Sequence, residues 1–347
     1  MTPPDPETPG TTAGQPAAPP SWKRALGNLG SLFLGAVLLV AAWAKALDPA
    51  AFADQIRAEG LDFLVPAGAL ALFALALEVG LGSALVLCVR RWWVLVPSAG
   101  LVVFFLFLTG RTYWRALHGI EVEAGCGCFG NLVQRTPAQA FWQDALLMVP
   151  ALLLAFVGAR WTAAVPRLRT AVVAVLTAAT VAFAWKAPEL PLDDLATRLK
   201  PGADPLSWCA GAGGDGPRVC MDGILPELAV GEHVVVLADV TDEAFAAEVE
   251  RLNEYQWNGN GPALWVAVGN TEEELFGFRF GRGPAFEIRE APPALLKPLY
   301  RTLPRSFLVR DGRVAETYRG LPPLDELAAA DAGADTGADT SEPADRS

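Results

Sequence analysis

Apolar residues fill the first half of the chain in long blocks rather than stripes. Lys23 and Arg24 precede an uncharged run over residues 26–44. A bilayer crossing takes about 20 residues at about 1.5 Å each, so this run predicts a spanning helix. A second run, 63–89, is interrupted by one charge, Glu78. A third, 92–110, carries no charge. A fourth runs from near Phe141 to Gly158 with Asp144 near its entrance, and a fifth covers 170–185. These blocks predict a membrane all-α bundle of four helices plus a fifth span.

After residue 186 the pattern turns globular. Residues 233–239 (HVVVLAD) and 263–269 (ALWVAVG) read as buried strands. Between them, 241–255 has helical spacing, with Phe245, Val249 and Leu252 on one face and Asp242 as N-cap. Residues 271–278 begin like a capped helix, and 295–303 read as a short helix. Strands at 306–309 and 314–318 flank Asp311-Gly312, a strong hairpin signal. Strand–helix–strand followed by helix and hairpin is an α/β layer pattern.

The predicted organisation is therefore a lead at 1–22, a four-helix membrane domain at 23–160, a fifth span at 161–186, an α/β domain at 187–330 and a tail at 331–347. The lead holds seven prolines, and the tail five acids against one Arg. Both compositions predict disorder. No basic region opens the lead, so it does not read as a signal peptide.

Composition agrees: 52% of residues are hydrophobic, 19% are charged and the mean hydropathy is +0.31. A soluble domain averages about 45–50% apolar and about 25% charged residues. The net charge of −11 argues against nucleic acid as a partner. Trp22, Trp43, Trp92, Trp93, Trp114, Trp142, Trp161 and Trp185 stand at span ends, as an interfacial belt does. Lys23, Arg24, Arg90, Arg91, Arg160, Arg167 and Arg169 share one side; Arg57, Arg111, Arg115, Arg135 and Lys186 share the other, with Lys45 at the membrane edge. The positive-inside rule then favours a cytoplasmic N-terminus and an extracytoplasmic C-terminal domain. This orientation puts Cys126, Cys128, Cys209 and Cys220 on the oxidising side. Cys88 falls at the inner end of a span, as a small buried hydrophobe.

Two resemblances follow from motifs. Gly35, Lys45, Asp48-Pro49, Pro66, Glu78, Cys126-Gly127-Cys128-Phe129-Gly130 and Asp144 resemble the MauE branch of the DoxX-like membrane proteins, over about residues 24–160. That resemblance implies a redox-associated four-helix bundle in a bacterial plasma membrane. It also implies a role in methylamine utilisation, in maturing a disulfide-containing amine dehydrogenase. Residues 224–327 resemble membrane-tethered thioredoxin-like domains. Leu303-Pro304, 305–309 and Asp311-Gly312-Arg313-Val314 match their cis-proline, strand, Asp-Gly, strand order. The family's C-x-x-C positions are occupied by about Asp242 and Phe245. This domain is expected to bind a peptide or protein rather than exchange thiols, with Pro304 as a shape element.

The candidate chemistry centres on Cys126 and Cys128. A C-x-C disulfide closes a small strained ring, and strain makes it more oxidising. Arg111, Arg115 and His118 lie upstream on the same side and would lower a nearby thiolate pKa. The alternatives are a static bridge, or a metal site with His118 as third ligand and no evident fourth. No metal site is predicted. Glu78, ionisable at bilayer depth, is a functional candidate by default: it would pair with Lys45, carry protons or contact a quinone. Lys45 alone reads as a snorkelling anchor, and Asp144 as a helix cap or loop partner. Cys209 and Cys220 read as a structural disulfide closing a glycine-rich loop, or as the exchange partner of Cys126 and Cys128. No cofactor other than a quinone is suggested. The functional expectation is thiol–disulfide exchange with an exported dithiol protein. The competing expectation is a non-catalytic docking or assembly factor.

Overall fold

The structure, a computed structural model, describes residues 20–119, 135–159, 164–210 and 218–335. Six helices build the first half: α1 (Ser21–Leu47), α2 (Pro49–Ala58), α3 (Ala67–Val86), α4 (Trp92–Leu117), α5 (Pro137–Phe156) and α6 (Arg167–Lys186). All except α2 are long and apolar enough to cross a membrane. The chain is an integral membrane protein.

Helix α1 lies between α3 and α5, and close packing dictates its small residues. A Cβ on Gly35 would stand 2.7 Å from the Gly82 carbonyl oxygen, and one on Gly30 would stand 2.6 Å from that of Ala151. In lipid, where helices gain no hydrophobic advantage from meeting, such close backbone approach supplies the attraction. Leu34, Leu38, Leu85, Leu95 and Met148 fill the shared core and are fully buried. Helix α6 lies outside this core, packing on α3 and stacking Phe183 on Trp43 of α1 at 5.9 Å.

The helix ends differ from the sequence reading. Helix α1 starts at Ser21, inside the segment expected to be disordered, and α4 continues seven residues past Gly110. Helix α5 starts at Pro137, where Thr136 and Gln139 form a capping box. Asp144 is therefore two turns inside the helix, not its cap. Helix α2 was not foreseen: Asp48 caps it by accepting from the Ala51 N–H at 3.0 Å, with Pro49 in its first turn. Cys88 is half-buried, at a left-handed turn with φ of 56° that ends α3.

The second half is an α/β domain with a mixed five-stranded sheet. Its elements are α7 (Asp193–Ala196), β1 (Cys209–Ala210), β2 (Val219–Cys220), α8 (Met221–Ile224), β3 (Glu232–Ala238), α9 (Glu243–Asn258), β4 (Ala263–Val268), α10 (Glu272–Arg282), β5 (Glu287–Glu290), α11 (Pro293–Leu296), β6 (Arg305–Arg310), β7 (Arg313–Arg319) and α12 (Leu324–Asp335). The main sheet has the order β5-β4-β3-β6-β7. Strands β3, β4 and β5 are parallel, β6 is antiparallel to β3, and β7 to β6. Central strand β3 is buried on both faces: Val235 and Leu237 join one core with Phe307 and Val309, while Val234 and Val236 join the other with Phe245 and Leu252. Asp311 and Gly312, with φ of 46° and 75°, make the β6–β7 turn. The predicted helix over 295–303 is α11 and a single 3₁₀ turn, Lys297–Leu299, because Pro298 has no N–H to continue it. Helix α12 extends into the expected disordered tail, to Asp335.

Candidate functional site

One end of the bundle gathers the charges that the apolar blocks isolate. Lys45, in the last turn of α1, donates from Nζ to Glu78 Oε1 of α3; their side chains are 3% and 0% exposed. Lys45 Nζ also lies 4.9 Å from the ring centroid of Phe52 on α2 and 4.8 Å from that of Phe105 on α4. The ammonium is thus held by one carboxylate and two ring faces, an arrangement that favours a desolvated cation. Of the roles considered for Lys45, the buried pair with Glu78 is the one this geometry displays, and a snorkelling head in water is not. Glu78 Oε2 is buried without a hydrogen-bond partner among the described residues.

A second buried pair lies at the same end. Arg135, just before α5, donates from Nη1 to Asp144 Oδ1 at 3.0 Å, and Asp144 is fully buried. Asp144 is thus partner to a loop arginine. The sequence reading missed this role for Arg135; its signal was a cation immediately upstream of the Thr136-Pro137 helix start.

Between α2 and α4 a half-open cleft of about 70 Å³ borders Lys45. Phe52, Ile56, Leu61, Phe105 and Leu108 give it an apolar lining, with Thr109 and Thr112. Arg111 and Glu59 pair at 2.7 Å beside it. His118, exposed at the end of α4, lies against the Trp114 ring at 4.3 Å, with Nδ1 at 2.8 Å from the Trp114 carbonyl oxygen. A carbonyl only accepts, so Nδ1 carries the hydrogen.

Cys126 and Cys128 lie outside the described residues, within 120–134. That segment connects the end of α4 to the start of α5, the bundle end carrying Lys45, Glu78 and Arg135. Cys88 lies at the opposite end, between α3 and α4. Cys209 and Cys220 are joined by a disulfide across the β1–β2 pair.

In the α/β domain, the residues between β3 and the first turns of α9 serve structure. Asp239 Oδ1 accepts from the Thr241 N–H at 2.9 Å, the Thr241 hydroxyl at 2.7 Å and Asn270 Nδ2 at 2.8 Å. Burial pushes the Asp239 carboxyl up, but these bonds outweigh it and leave the group below the ordinary aspartate value. Asp242 caps α9 through the Ala244 N–H, and Phe245 is a core residue stacked on Phe278 at 5.8 Å. Pro304 follows a cis peptide bond, and its carbonyl accepts from the Gly320 N–H at 3.0 Å.

Arginines on either side of Pro304 hold the segment that leaves α6. Arg301 donates to the carbonyls of Ala187 at 2.8 Å and Leu190 at 3.3 Å. Arg305, 3% exposed, pairs with Asp193 at 3.0 Å and Asp194 at 3.5 Å, and Arg319 pairs with Asp193. Burial lowers the Arg305 pKa, and the two aspartates oppose the shift.

Residues 23–158 match the family described as "Methylamine utilisation protein MauE". No curated protein matches the chain. Among solved structures, a thiol:disulfide interchange protein of the thioredoxin family from Chlorobium tepidum is similar at 15% identity, over 39% of this chain and 97% of that one, with a TM-score of 0.28. A mutant of Xanthomonas campestris peroxiredoxin Q is similar at 14% identity, over 41% of this chain and 98% of that one, with a TM-score of 0.27.

Proposed function

We propose that this membrane protein exchanges disulfides with an exported partner through Cys126 and Cys128. The allocation of the five cysteines carries this reading. Cys209 and Cys220 are bonded to each other, and Cys88 stands alone at the opposite end of the bundle. Cys126 and Cys128 are the pair left over, inside the stretch that matches the MauE family. In the exchange a partner dithiol attacks the Cys126–Cys128 disulfide. The partner becomes the disulfide, and two electrons and two protons pass to Cys126 and Cys128. In this reading the N-terminus is cytoplasmic, and the loop and the α/β domain share the extracytoplasmic side of a bacterial plasma membrane. The α/β domain, which carries Asp242 and Phe245 rather than cysteines at the start of α9, docks the partner without doing thiol chemistry.

The test is to express the full chain with Cys128→Ser and look for mixed disulfides on Cys126. The expected result is a captured exported protein that reductant releases. No captured protein, together with normal exported disulfides in cells carrying Cys126→Ser/Cys128→Ser, overturns the exchange role. That outcome leaves docking or assembly, the reading favoured by Asp242 and Phe245, a helix cap and a core residue, standing where a dithiol would. Impermeant thiol labelling of position 126 in intact cells tests the orientation. Labelling only after the membrane is opened would refute it.

A further inference from the structure

We infer that the cleft beside Lys45 is a binding site for an uncharged, membrane-soluble ring compound that bears a carbonyl oxygen, the chemistry of a quinone head group. The inference needs no thiol and stands apart from the exchange reading.

Three features of the cleft select this class. The first is charge balance. The charged groups on its wall are Lys45 and Glu59, and each has an opposite charge in contact: Glu78 for Lys45 and Arg111 for Glu59. An anionic or cationic ligand would enter without a free counter-charge and lose its hydration. A neutral ligand has no such cost.

The second is the supply of donors. An ammonium has three N–H groups, and Lys45 gives one to Glu78 Oε1. The faces of Phe52 and Phe105 attract the remaining positive charge but offer no lone pair in the ring plane. The hydroxyls of Thr109 and Thr112 already donate to the carbonyls of Phe105 at 3.0 Å and Leu108 at 3.1 Å. Lys45, the charged donor, and the side-chain amide of Gln55, which also lines the cleft, are therefore the donors for an incoming acceptor. A carbonyl oxygen fits that role, and a saturated hydrocarbon does not.

The third is size and lining. The volume of about 70 Å³ is roughly five times the space one water needs. Phe52, Ile56, Leu61, Phe105 and Leu108 offer apolar contact to a ring, with any tail passing out of the half-open side. The volume is below the roughly 300–1,000 Å³ of a pocket that encloses a whole drug-sized ligand, so the cleft takes the carbonyl edge of the ring and leaves the rest at the half-open side.

The test uses the full chain in lipid nanodiscs and decylubiquinone as probe, with decylbenzene as the analogue lacking carbonyls. Saturable decylubiquinone binding is expected, with decylbenzene weaker by tenfold or more. In Lys45→Met/Glu78→Met, which removes the charged donor without stranding a buried charge, the affinity should fall at least tenfold. Cys126→Ser/Cys128→Ser should bind as the native chain does, which separates this site from the thiol chemistry. A diazirine-bearing quinone should label residues 45–61 and 105–112 of the unmutated chain. This readout does not depend on how any variant folds. Equal affinity for the two probes, unchanged binding in the double variant, labelling confined to other segments, or no saturable binding would each overturn the inference; in the last case the cleft holds water or lipid tails alone.

Discussion

Replacing Lys45 by methionine isolates the charge of the buried pair. Methionine keeps an unbranched side chain against Phe52 and Phe105, so packing is largely retained. What is lost is the partner of Glu78, a carboxylate with no exposed surface and with Oε2 already without a hydrogen-bond partner among the described residues. Removing one member of a buried ion pair costs about 3–5 kcal/mol, because the other is left uncompensated. At about 2–4 °C per kcal/mol for a chain of roughly this size, the expected drop in Tm is about 6–20 °C. The assay is thermal unfolding of the full chain in detergent, followed by tryptophan fluorescence at fixed pH. The second arm is Lys45→Met/Glu78→Met, which removes both charges. Replacing a whole buried pair by apolar groups of similar volume is often neutral or stabilising, so this variant should melt within about 4 °C of the native chain, or above it. A shift below about 2 °C for Lys45→Met would show that the pair does not stabilise the bundle. A double variant as unstable as the sum of the two single changes would show that the residues act separately.

The remaining predictions concern packing, covalent closure and pH. Gly30→Val places a Cβ 2.6 Å from the Ala151 carbonyl oxygen, a backbone atom that cannot swing away. It should destabilise the α1–α5 contact by about 1–3 kcal/mol. Gly100→Ala meets nothing within 4 Å on α4 and should raise stability by about 0.5–1 kcal/mol; the same melting assay reads both signs. Cys209→Ser/Cys220→Ser opens a bond closing a sequence separation of 11 residues. It should lower the stability of the α/β domain by about 3 kcal/mol in denaturant titrations. Asp239, held below the ordinary value of 3.8 by its hydrogen bonds despite burial, contributes stability at neutral pH. That contribution should fade as pH falls through and below about 3.8. A pH series of unfolding midpoints should show a shallower acid limb for Asp239→Asn, and identical limbs would contradict the assignment.

Sequence legibility tracked how far each element is decided by its own residues. The spans were readable because lipid demands continuous apolar runs, but their ends were not. Arg111 and Arg115 close the apolar block, while backbone bonding carries α4 on to Leu117. Helix α2 escaped notice because its burial is tertiary: Ala53 and Ile56 pack on Ala67 and Ala71 of the next helix. Lys45 and Glu78 stood out as solitary charges, and pairing was one of three roles open to Glu78. Arg135–Asp144 was hidden by placing the start of α5 too late. The buried strands β3 and β4 read directly from short continuous apolar runs, and the Asp311-Gly312 hairpin from turn chemistry. Strand β5, Glu287–Glu290, has a charged sequence and forms only because β4 offers it an edge.

The placement of charge bears on why the two halves of the chain are joined as they are. Arg301, Arg305 and Arg319 fasten residues 187–194 directly where the chain leaves α6. An apolar contact there would bury surface without fixing direction. Directional bonds donated by the arginines to the carbonyls of Ala187 and Leu190 and to the carboxylate of Asp193 fix the path of the backbone. The charges of Arg301 and Asp193 also reach Asp48, the cap of α2, whose carboxyl burial pushes up. Helix α2 supplies Phe52, Ile56 and Glu59 to the cleft beside Lys45. Arg301 and Asp193 act on that cap with opposite sign, the arginine lowering and the aspartate raising the Asp48 pKa, at the bundle end where residues 120–134 begin and end.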